Sequence, residues 1–283
     1  MDTAISTESL FVFSVAQLAA QLGAAAGPLI VDVRKTPAFN QASHCLPGAL
    51  RIAPEDINAT MASLPPARQI VVYCVHGHEV SQGVTATLRA AGLNAHYLQG
   101  GIAAWEEAGL PTMKRLPEFG LPASPGKPTA WVTRERPKID RIACPWLIRR
   151  FIDPSAKFLY VPTGEVASAA RTRGAIPYDV PKVQFSHRGP EGERCSFDAF
   201  LDDCGLTDSC LLALANIVRG ADTGKPELTP QSPGLLAISL GLSVNYPDDH
   251  TMLAQGMVIY DALYAWIKSA QAEVHNAKLF KKA

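Results

Sequence analysis

A cysteine at the start of a short loop is the residue of this sequence best suited to chemistry. Cys74 follows the apolar run Ile70–Tyr73 and precedes a helical pattern that begins near Val80. This order predicts a buried strand, a loop and a helix, with the thiol beside the first turn of the helix. Unpaired backbone N–H groups and the helix dipole stabilise a thiolate there, which lowers the pKa of a cysteine and makes it a nucleophile. The alternative is a small residue that merely ends a strand.

Strands and helices alternate around Cys74. The apolar runs that predict strands cover residues 29–33, 70–74 and 96–98. The helical patterns cover residues 11–22, 54–64, 81–91 and 100–109. The strands are apolar without alternation, as in sheets buried on both faces. The first half is therefore predicted to be a small α/β domain, a parallel sheet with helices on both faces.

The composition argues against several classes of protein, among them membrane proteins and disulfide-rich proteins. The 283 residues suffice for two domains, and 47% of them are apolar, enough to give each domain a core. The formal net charge is zero, so no global field attracts the chain to nucleic acid or acidic lipid. Asp2 and Glu8 stand at the start without a basic residue, and no apolar run could span a bilayer, so we expect a cytoplasmic protein without a membrane partner. The six cysteines lack paired spacing, which argues against disulfides and a zinc ribbon.

Four separated motifs of the first half occur together in one known family. They are Ile30-Val31-Asp32-Val33-Arg34, His44-Cys45-Leu46-Pro47-Gly48-Ala49, the Cys74 loop, and Leu98-Gln99-Gly100-Gly101 with Trp105 and Gly109-Leu110-Pro111. In order and spacing they resemble a single-domain rhodanese over roughly residues 10–113. The resemblance implies sulfur transfer without a cofactor: Cys74 takes sulfur from a donor such as thiosulfate, holds it as a persulfide and passes it to a thiol or to cyanide. It also implies that the loop backbone binds the persulfide, through Val75, His76, Gly77, His78, Glu79 and Val80.

Two positions depart from the patterns of that fold. Many rhodaneses have Cys-x-x-Gly-x-Arg, and Glu79 holds the arginine position, so its charge disfavours a dianionic donor by about 1 kcal/mol in water. Related phosphatases have a loop one residue longer that ends in arginine. Val80 holds that position, which argues against phosphoryl transfer. His76 and His78 either offset the charge of Glu79 when protonated or are merely solvated.

Three other motif residues have structural roles in the simplest interpretation. Asp32 is expected to accept backbone hydrogen bonds that hold the active loop or its neighbours, and Arg34 to form an ion pair. Cys45 is either a resolving thiol for Cys74 or a small buried apolar residue.

The second half follows a segment rich in proline and glycine. Residues 114–129 lack a regular period and predict a linker between a domain at 1–113 and one at 130–283. The second domain is predicted to be α+β and mostly helical. Its predicted strands cover 131–133, 158–161 and 176–180. Its predicted helices are one at 165–173, two capped by Ser196 and Asp208, an apolar and therefore central one at 235–242, and a long one from Pro247 to at least Lys268.

Basic residues are concentrated between positions 134 and 150, six of them against two acidic residues. They are Arg134, Arg136, Lys138, Arg141, Arg149 and Arg150. Three interpretations stay open: a solvated face paired with nearby carboxylates, a site for a small oxyanion such as chromate, and a contact to DNA phosphates. The zero net charge and the lack of a helix-turn-helix pattern or of a set of stacking aromatics disfavour DNA.

A carboxylate on the apolar face of the last helix needs a partner. Asp261 lies one turn from Met257, and a buried carboxylate is costly unless it is paired. Its candidate partners are Arg219, His187, or a metal ion shared with Asp222. His187, Asp222 and Asp261 are thus candidate metal ligands, and the alternative is a salt-bridged structural cluster.

The second half also resembles a known family. The motifs are Thr133-Arg134 with Pro137-Lys138-Ile139-Asp140-Arg141-Ile142-Ala143-Cys144-Pro145-Trp146, Arg219-Gly220-Ala221-Asp222, Gly234-Leu235-Leu236-Ala237, and Tyr260-Asp261-Ala262-Leu263-Tyr264-Ala265-Trp266. They resemble the carboxy-terminal domain of ChrB-like chromate-resistance proteins over nearly all of 130–270. The resemblance implies a cytoplasmic role in chromate resistance, in some members as a chromate-responsive regulator.

Two functions from different classes follow. The first is a sulfurtransferase that forms a Cys74 persulfide and is fused to a chromate-resistance domain, with a small sulfur donor and a thiol acceptor as partners. The second is an oxyanion sensor or transcriptional regulator in which the rhodanese-like domain is catalytically weak.

Overall fold

Ten short strands and eleven α-helices make up the part of the chain that the computed structural model describes, residues 11–273. The strands are β1 (Val12–Phe13), β2 (Leu29–Asp32), β3 (His44–Cys45), β4 (Leu50–Arg51), β5 (Ile70–Tyr73), β6 (Ala95–Leu98), β7 (Met113–Lys114), β8 (Ala130–Arg134), β9 (Lys157–Val161) and β10 (Ile176–Pro177). The helices are α1 (Val15–Gln21), α2 (Thr36–Gln41), α3 (Ile57–Thr60), α4 (Glu79–Ala90), α5 (Gly101–Glu107), α6 (Asp140–Leu147), α7 (Val166–Arg173), α8 (Ser196–Cys204), α9 (Ser209–Asp222), α10 (Ser232–Asn245) and α11 (Asp249–Ala265).

The first half is built on a five-stranded sheet with the order β1-β6-β5-β2-β4, in which every pair is parallel. All residues of β2 and β5 are buried, as their continuous apolar runs predict for strands covered on both faces. The predicted α/β fold with a parallel sheet is confirmed. Because β5 is the central strand, its carboxyl end, where Cys74 follows, lies between the ends of β2 and β6.

The second half has a smaller parallel sheet, order β10-β8-β9, and is otherwise mostly helical. Helix α6 connects β8 to β9 and α7 connects β9 to β10, so the sheet is made of two successive βαβ units. Helices α8 to α11 follow it. The predominantly helical character predicted for this half is confirmed.

Two helices differ from the sequence predictions. The helix predicted at 11–22 begins at Val15, because Ser14 and Gln17 form a capping box and the residues before them pair with β6 as strand β1. Helix α10 is not central: Ile238 and Leu240 are each 45% exposed, and Val244 is 82% exposed. Its buried positions are Ser232, Leu235, Ser239 and Ser243, so its inward face is made largely of serine.

The segment predicted as a linker is packed against the first half. Strand β7 pairs with β3 in antiparallel fashion, and Leu121 and Ala123 are buried. The Arg51 N–H donates to the Ala123 carbonyl over 2.7 Å. The apolar residues between the prolines give this segment a buried side, which fixes it without a regular period.

Both halves contribute to one hydrophobic cluster. Leu18 and Trp105 from the first half belong to the same group of buried side chains as Trp146, Phe151 and Tyr264 from the second. Backbone contacts cross the boundary as well, since the Gly48 N–H donates to the Phe151 carbonyl over 2.6 Å. The two halves are therefore packed together.

Candidate active site

A buried charge network binds Tyr73, the last residue of β5 before Cys74. Arg34 forms an ion pair with Asp32, whose side chains are 3% and 0% exposed, and donates to the His44 carbonyl over 3.0 Å. The Tyr73 hydroxyl donates to Oδ2 of Asp32 over 2.7 Å. The Arg34 N–H donates to Oδ1 of Asp32 over 3.0 Å, so Asp32 accepts a backbone hydrogen bond as well as the one from Tyr73, the residue before Cys74.

Two glycines allow the loop to pass close to its neighbours. Gly77 and Gly101 have φ angles of 70° and 61°, the left-handed region that favours glycine. A Cβ on Gly77 would overlap the Leu98 carbonyl, and one on Gly101 would overlap the carbonyls of Cys74 and Val75. The loop therefore folds tightly against the start of α5.

The sulfur of Cys74 lies at the amino end of α4, as the sequence predicts. Its Sγ is 3.2 Å from the hydroxyl oxygen of Ser81, and the side chain is nearly buried. Burial by itself would raise the pKa of Cys74. The Ser81 hydroxyl and the backbone N–H groups of Ser81, His78 and His76 lower it, and the net pKa is lowered. Such a sulfur is a thiolate over a wider pH range than an ordinary cysteine.

Ser81 is a site residue that the sequence analysis missed. Ser81 is the third residue of α4, seven positions after Cys74 in the sequence. Its hydroxyl lies on the side of the helix that faces the sulfur. When Cys74 is deprotonated, the hydroxyl is the donor and the sulfur the acceptor. A hydroxyl-bearing residue in the first turn of a helix that follows a loop cysteine is the signal that points to this role.

Replacement of Ser81 by alanine is expected to raise the pKa of Cys74. The variant loses a hydrogen bond that stabilises only the thiolate, so the pH profile of alkylation by iodoacetamide moves to higher pH and the rate at neutral pH falls. Ser63→Ala, at an exposed serine of the same domain, serves as the control and leaves the profile unchanged. An unchanged profile in Ser81→Ala would show that the hydroxyl does not stabilise the thiolate.

An open pocket of about 410 Å³ lies in front of Cys74. The residues around it are Arg34, Lys35, Ala38, Cys74, Val75, His76, His78, Glu79 and Val80. Of the loop residues predicted to bind the sulfur species, all but the buried Gly77 line it. Lys35 and Ala38 come from α2 and its flank and were not predicted. The exposed Lys35 brings a positive charge to the same pocket as the exposed Glu79.

Cys45 is placed as a buried apolar residue. Its side chain is 0% exposed, and its Sγ lies 3.7 Å from the Met113 carbonyl oxygen. Burial raises the pKa of Cys45 to about 12. A thiol with such a pKa is a poor nucleophile, so the structural interpretation fits its surroundings better than a resolving role.

The arginines of the basic stretch are engaged in contacts within the chain. Arg134 and Arg141 form ion pairs with Asp179 over 3.1 Å and 3.3 Å. Arg149 donates to the Ala156 carbonyl over 3.3 Å, and the Arg136 guanidinium donates to backbone carbonyls around Ser243 and Pro247. Lys138 is half-buried. The carboxylates that pair with this stretch, Asp179 and Asp261, come from distant elements and not from its neighbours in the sequence.

Asp261 pairs with neither of the two side chains predicted for it, Arg219 and His187. Its two carboxylate oxygens accept from Nε and Nη2 of Arg150, each over 2.8 Å, and Oδ1 also accepts from Nε1 of Trp146 over 2.8 Å. Arg150 and Trp146 lie on the turns of α6 and its continuation that pack against α11. Asp261 is thus fully partnered by an arginine, which removes the need for a shared metal ion.

The other two candidate metal ligands do lie together. Nε2 of His187 is 3.1 Å from Oδ2 of Asp222, and it also faces Asp179 at 3.5 Å and Asp140 at 3.6 Å. Asp179 and Asp140 were not predicted as ligands. Asp140 begins α6, which follows β8, and Asp179 follows β10. Both residues come after the carboxyl ends of parallel strands, which lie at the same edge of the sheet, and this position is the sequence signal for them.

The charges of this cluster shift the pKa values of its members. Hydrogen bonds to Asp179 and Asp222 raise the pKa of His187 to about 11. Burial, together with the charges of Asp222 and Asp179, raises the pKa of Asp140 far above its ordinary value. Hydrogen bonds from His187 and Ser196 and the charges of Arg134 and Arg141 overcome burial and lower the pKa of Asp179.

None of the helices within residues 11–273 combines the length and the apolar character that crossing a bilayer requires.

Two family models match this chain in succession. Residues 14–108 match the rhodanese-like domain, and residues 131–267 match the C-terminal domain of ChrB. The chain is 35% identical over 83 residues to a sulfurtransferase of Allochromatium vinosum, covering 29% of this chain and 76% of that protein. It is 34% identical over 140 residues to the protein ChrB of Cupriavidus metallidurans, covering 49% of this chain and 41% of that protein. This chain therefore matches less than half of the length of that ChrB protein.

Among solved structures, a rhodanese-related protein of Thermoplasma volcanium is similar to the first half. It is 25% identical, with a TM-score of 0.32, and the match covers 36% of this chain and 95% of that one.

Proposed function

Because this chain belongs to the rhodanese-like sulfurtransferase family through residues 14–108 and carries a ChrB C-terminal domain at 131–267, we propose that it transfers sulfur through a Cys74 persulfide. The observation that carries the proposal is the sulfur of Cys74 at the amino end of α4, with a lowered pKa and an open pocket before it. The attached domain suggests that the transfer serves chromate resistance.

The first step loads the enzyme with sulfur. The Cys74 thiolate attacks the sulfane sulfur of the donor, and an S–S bond forms between them. The bond from that sulfur to the rest of the donor breaks, and its electron pair leaves with the departing group. This group is sulfite when the donor is thiosulfate and a thiolate when it is a low-molecular-weight persulfide. The charge of the resulting persulfide is stabilised by the same N–H groups that stabilise the thiolate.

The second step unloads it. An acceptor thiolate attacks the outer sulfur of the persulfide and forms a new S–S bond with it. The bond to Cys74 breaks, its electron pair returns to Cys74, and the thiolate is regenerated. No metal or redox cofactor takes part, because each step exchanges one S–S bond for another.

The pocket charges favour a donor with little negative charge. Glu79 lines the pocket beside Cys74, so its carboxylate repels a dianion. Lys35 lines it too and offsets part of that repulsion. The Arg34 guanidinium is already bound to Asp32, which leaves it less able to bind a second anion. A persulfide of low charge is therefore the proposed donor, in preference to thiosulfate.

Glu79→Arg is expected to raise the rate of sulfur transfer from thiosulfate by roughly tenfold or more. The change removes a repulsion and adds an attraction, each of about 1 kcal/mol at the distances of a solvated pocket. The rate with a low-charge persulfide donor changes much less. The measurement is the initial rate of sulfur delivered to an acceptor thiol with each donor.

Glu107→Arg is the matched control, since Glu107 is exposed on α5 of the same domain and does not line the pocket. It makes the same charge change away from Cys74. A tenfold gain in both variants would assign the effect to net charge, and no gain in Glu79→Arg would refute the role given to Glu79.

A further inference from the structure

We infer that Asp140, Asp179, His187 and Asp222 form a binding site for a divalent transition-metal ion in the second half of the chain. The four residues are called the carboxylate–histidine cluster below. They come from the start of α6, the turn after β10, the following loop and the end of α9. The inference concerns a different domain from Cys74, so it holds or fails independently of sulfur transfer.

The distances from Nε2 of His187 to the three carboxylates suit neighbouring ligands of one small ion. Zinc and similar ions bind nitrogen and oxygen at about 2.0–2.2 Å, so neighbouring ligand atoms in tetrahedral or octahedral sites lie roughly 2.8–3.6 Å apart. The carboxylate oxygens of Asp222, Asp179 and Asp140 lie 3.1 Å, 3.5 Å and 3.6 Å from Nε2 of His187. The ligand atoms of Asp140, Asp179 and His187 all lie within 4.8 Å of one another.

The other ring nitrogen of His187 fixes its orientation. Nδ1 lies 3.1 Å from the Gly192 carbonyl oxygen, which can only accept, so Nδ1 carries a proton. Nε2 is therefore the ring atom that faces the three carboxylates, and a bound ion would take the place of the proton that Nε2 otherwise carries. A backbone carbonyl behind the ring is the usual outer partner of a metal-bound histidine.

A proton on Nε2 of His187 can bind fewer of the surrounding carboxylates than a metal ion can. A single N–H group donates one good hydrogen bond, whereas three carboxylates lie within 3.6 Å of this nitrogen. Arg134 and Arg141 bind Asp179 from its far side through Oδ2, and Asp140 and Asp222 form no other ion pair among residues 11–273. An ion bound between His187, Asp140 and Asp179 would neutralise charges that a single proton on Nε2 cannot serve equally.

Outer contacts orient the carboxylates toward the centre. The Ser196 hydroxyl donates to Oδ1 of Asp179 over 2.7 Å, and the Ser196 N–H donates to Oδ2 of Asp140 over 2.5 Å. Asp140 and Asp179 are 1% and 5% exposed, so these side chains are held rigidly. Rigid, pre-oriented ligands lower the entropic cost of binding an ion.

The surroundings indicate the kind of ion and leave it accessible. One imidazole with carboxylates suits manganese, iron and zinc, whose oxygen and nitrogen ligands are of intermediate hardness. A pocket of about 540 Å³ borders His187 and Asp179, so a position on the ion can face solvent or a small ligand. Such an open position is typical of sites that do more than stabilise a fold.

The test is the binding of manganese and zinc to the full-length protein after treatment with a chelator. We expect calorimetry to show one ion bound per chain of the wild type, and the bound ion to raise the unfolding temperature. In electron paramagnetic resonance, the signal of free Mn²⁺ is expected to decrease when the protein is added. His187→Gln and Asp222→Asn are each expected to weaken binding by at least about 100-fold, because loss of even an outer partner of a ligand costs about 10–100-fold. Asp140→Asn is expected to behave likewise.

Asp261→Asn is the matched control, a partly buried aspartate of the same domain whose carboxylate binds Arg150. It is expected to keep the affinity of the wild type. The inference is overturned if the wild type binds neither ion, or if His187→Gln and Asp222→Asn, folded by circular dichroism, bind as tightly as the wild type. If Asp140→Asn fails to fold, the other two variants and the wild type still decide the question.

Discussion

Cys74→Ser is expected to abolish sulfur transfer to an acceptor thiol while the protein stays folded. A serine hydroxyl is not ionised at neutral pH and forms no stable bond to sulfane sulfur, so both steps of the cycle are lost. The expected loss is on the order of 10³-fold or more, the scale on which removal of a nucleophile lowers turnover. The substitution exchanges one small side chain for another next to Ser81, so its effect on stability is expected to be small.

The measurement is the initial rate of transfer from a low-molecular-weight persulfide, with circular dichroism as a check on folding. Cys210→Ser is the control, because Cys210 is the partly exposed cysteine of the described chain that lies outside the pocket. It is expected to transfer sulfur at the wild-type rate. If transfer persists in Cys74→Ser and disappears in Cys210→Ser, the nucleophile is Cys210 and the role given to Cys74 is refuted.

Asp32→Asn is expected to lower the free energy of unfolding by about 3–5 kcal/mol. The variant leaves the guanidinium of Arg34, which is 3% exposed, without its counter-ion and takes a charged acceptor from the Tyr73 hydroxyl. A buried charge whose partner is removed cannot recover its hydration, which makes the loss large. The measurement is urea denaturation followed by tryptophan fluorescence.

Asp56→Asn provides the comparison, since Asp56 is exposed and its side chain makes no capping hydrogen bond. Its expected effect is within about 0.5 kcal/mol. A loss of less than about 1 kcal/mol in Asp32→Asn would show that water or another group compensates Arg34, and that Asp32 contributes little to holding the Cys74 loop.

The position of Cys74 follows from local sequence, and this explains why it is predictable. A strand, its loop and the next helix are contiguous, so the apolar run before Cys74 and the helical pattern after it fix where the thiol lies. Gly77 belongs to the same segment, and its φ angle of 70° lies in the left-handed region that glycine adopts most readily. Ser81 also belongs to it, yet its role depends on which side of α4 faces the sulfur, and this requires the helix to be placed in space.

The carboxylate–histidine cluster could not be predicted in this way, because its residues are far apart in the sequence. Asp140 and Asp222 are 82 positions apart and meet only because α6 and α9 pack together. No spacing in the sequence connects them, so Asp140 is not among the predicted ligands, and residue type alone points to His187 and Asp222. Asp261 was included for the same reason, and the packing of α11 against α6 gives it Arg150 instead.

The segment at 114–129 and helix α10 show why composition alone misleads. Proline and glycine indicate the absence of a regular period, but they do not reveal that Leu121 and Ala123 are buried against the first half. Likewise, the apolar residues of α10 indicate a buried helix, whereas Val244 is 82% exposed. In both cases the outcome depends on which neighbours cover the element, and this is set by the tertiary fold.

The most direct test of a Cys74 persulfide is the intact mass of the wild-type protein after incubation with a low-molecular-weight persulfide or with thiosulfate. The account predicts the added mass of one sulfur atom, located on the peptide that contains Cys74 and removed by an acceptor thiol or by cyanide. It also predicts more complete loading by the persulfide than by thiosulfate, because Glu79 borders the pocket. A protein that gains no sulfur from either donor, or gains it on another cysteine, does not form the Cys74 persulfide that we propose.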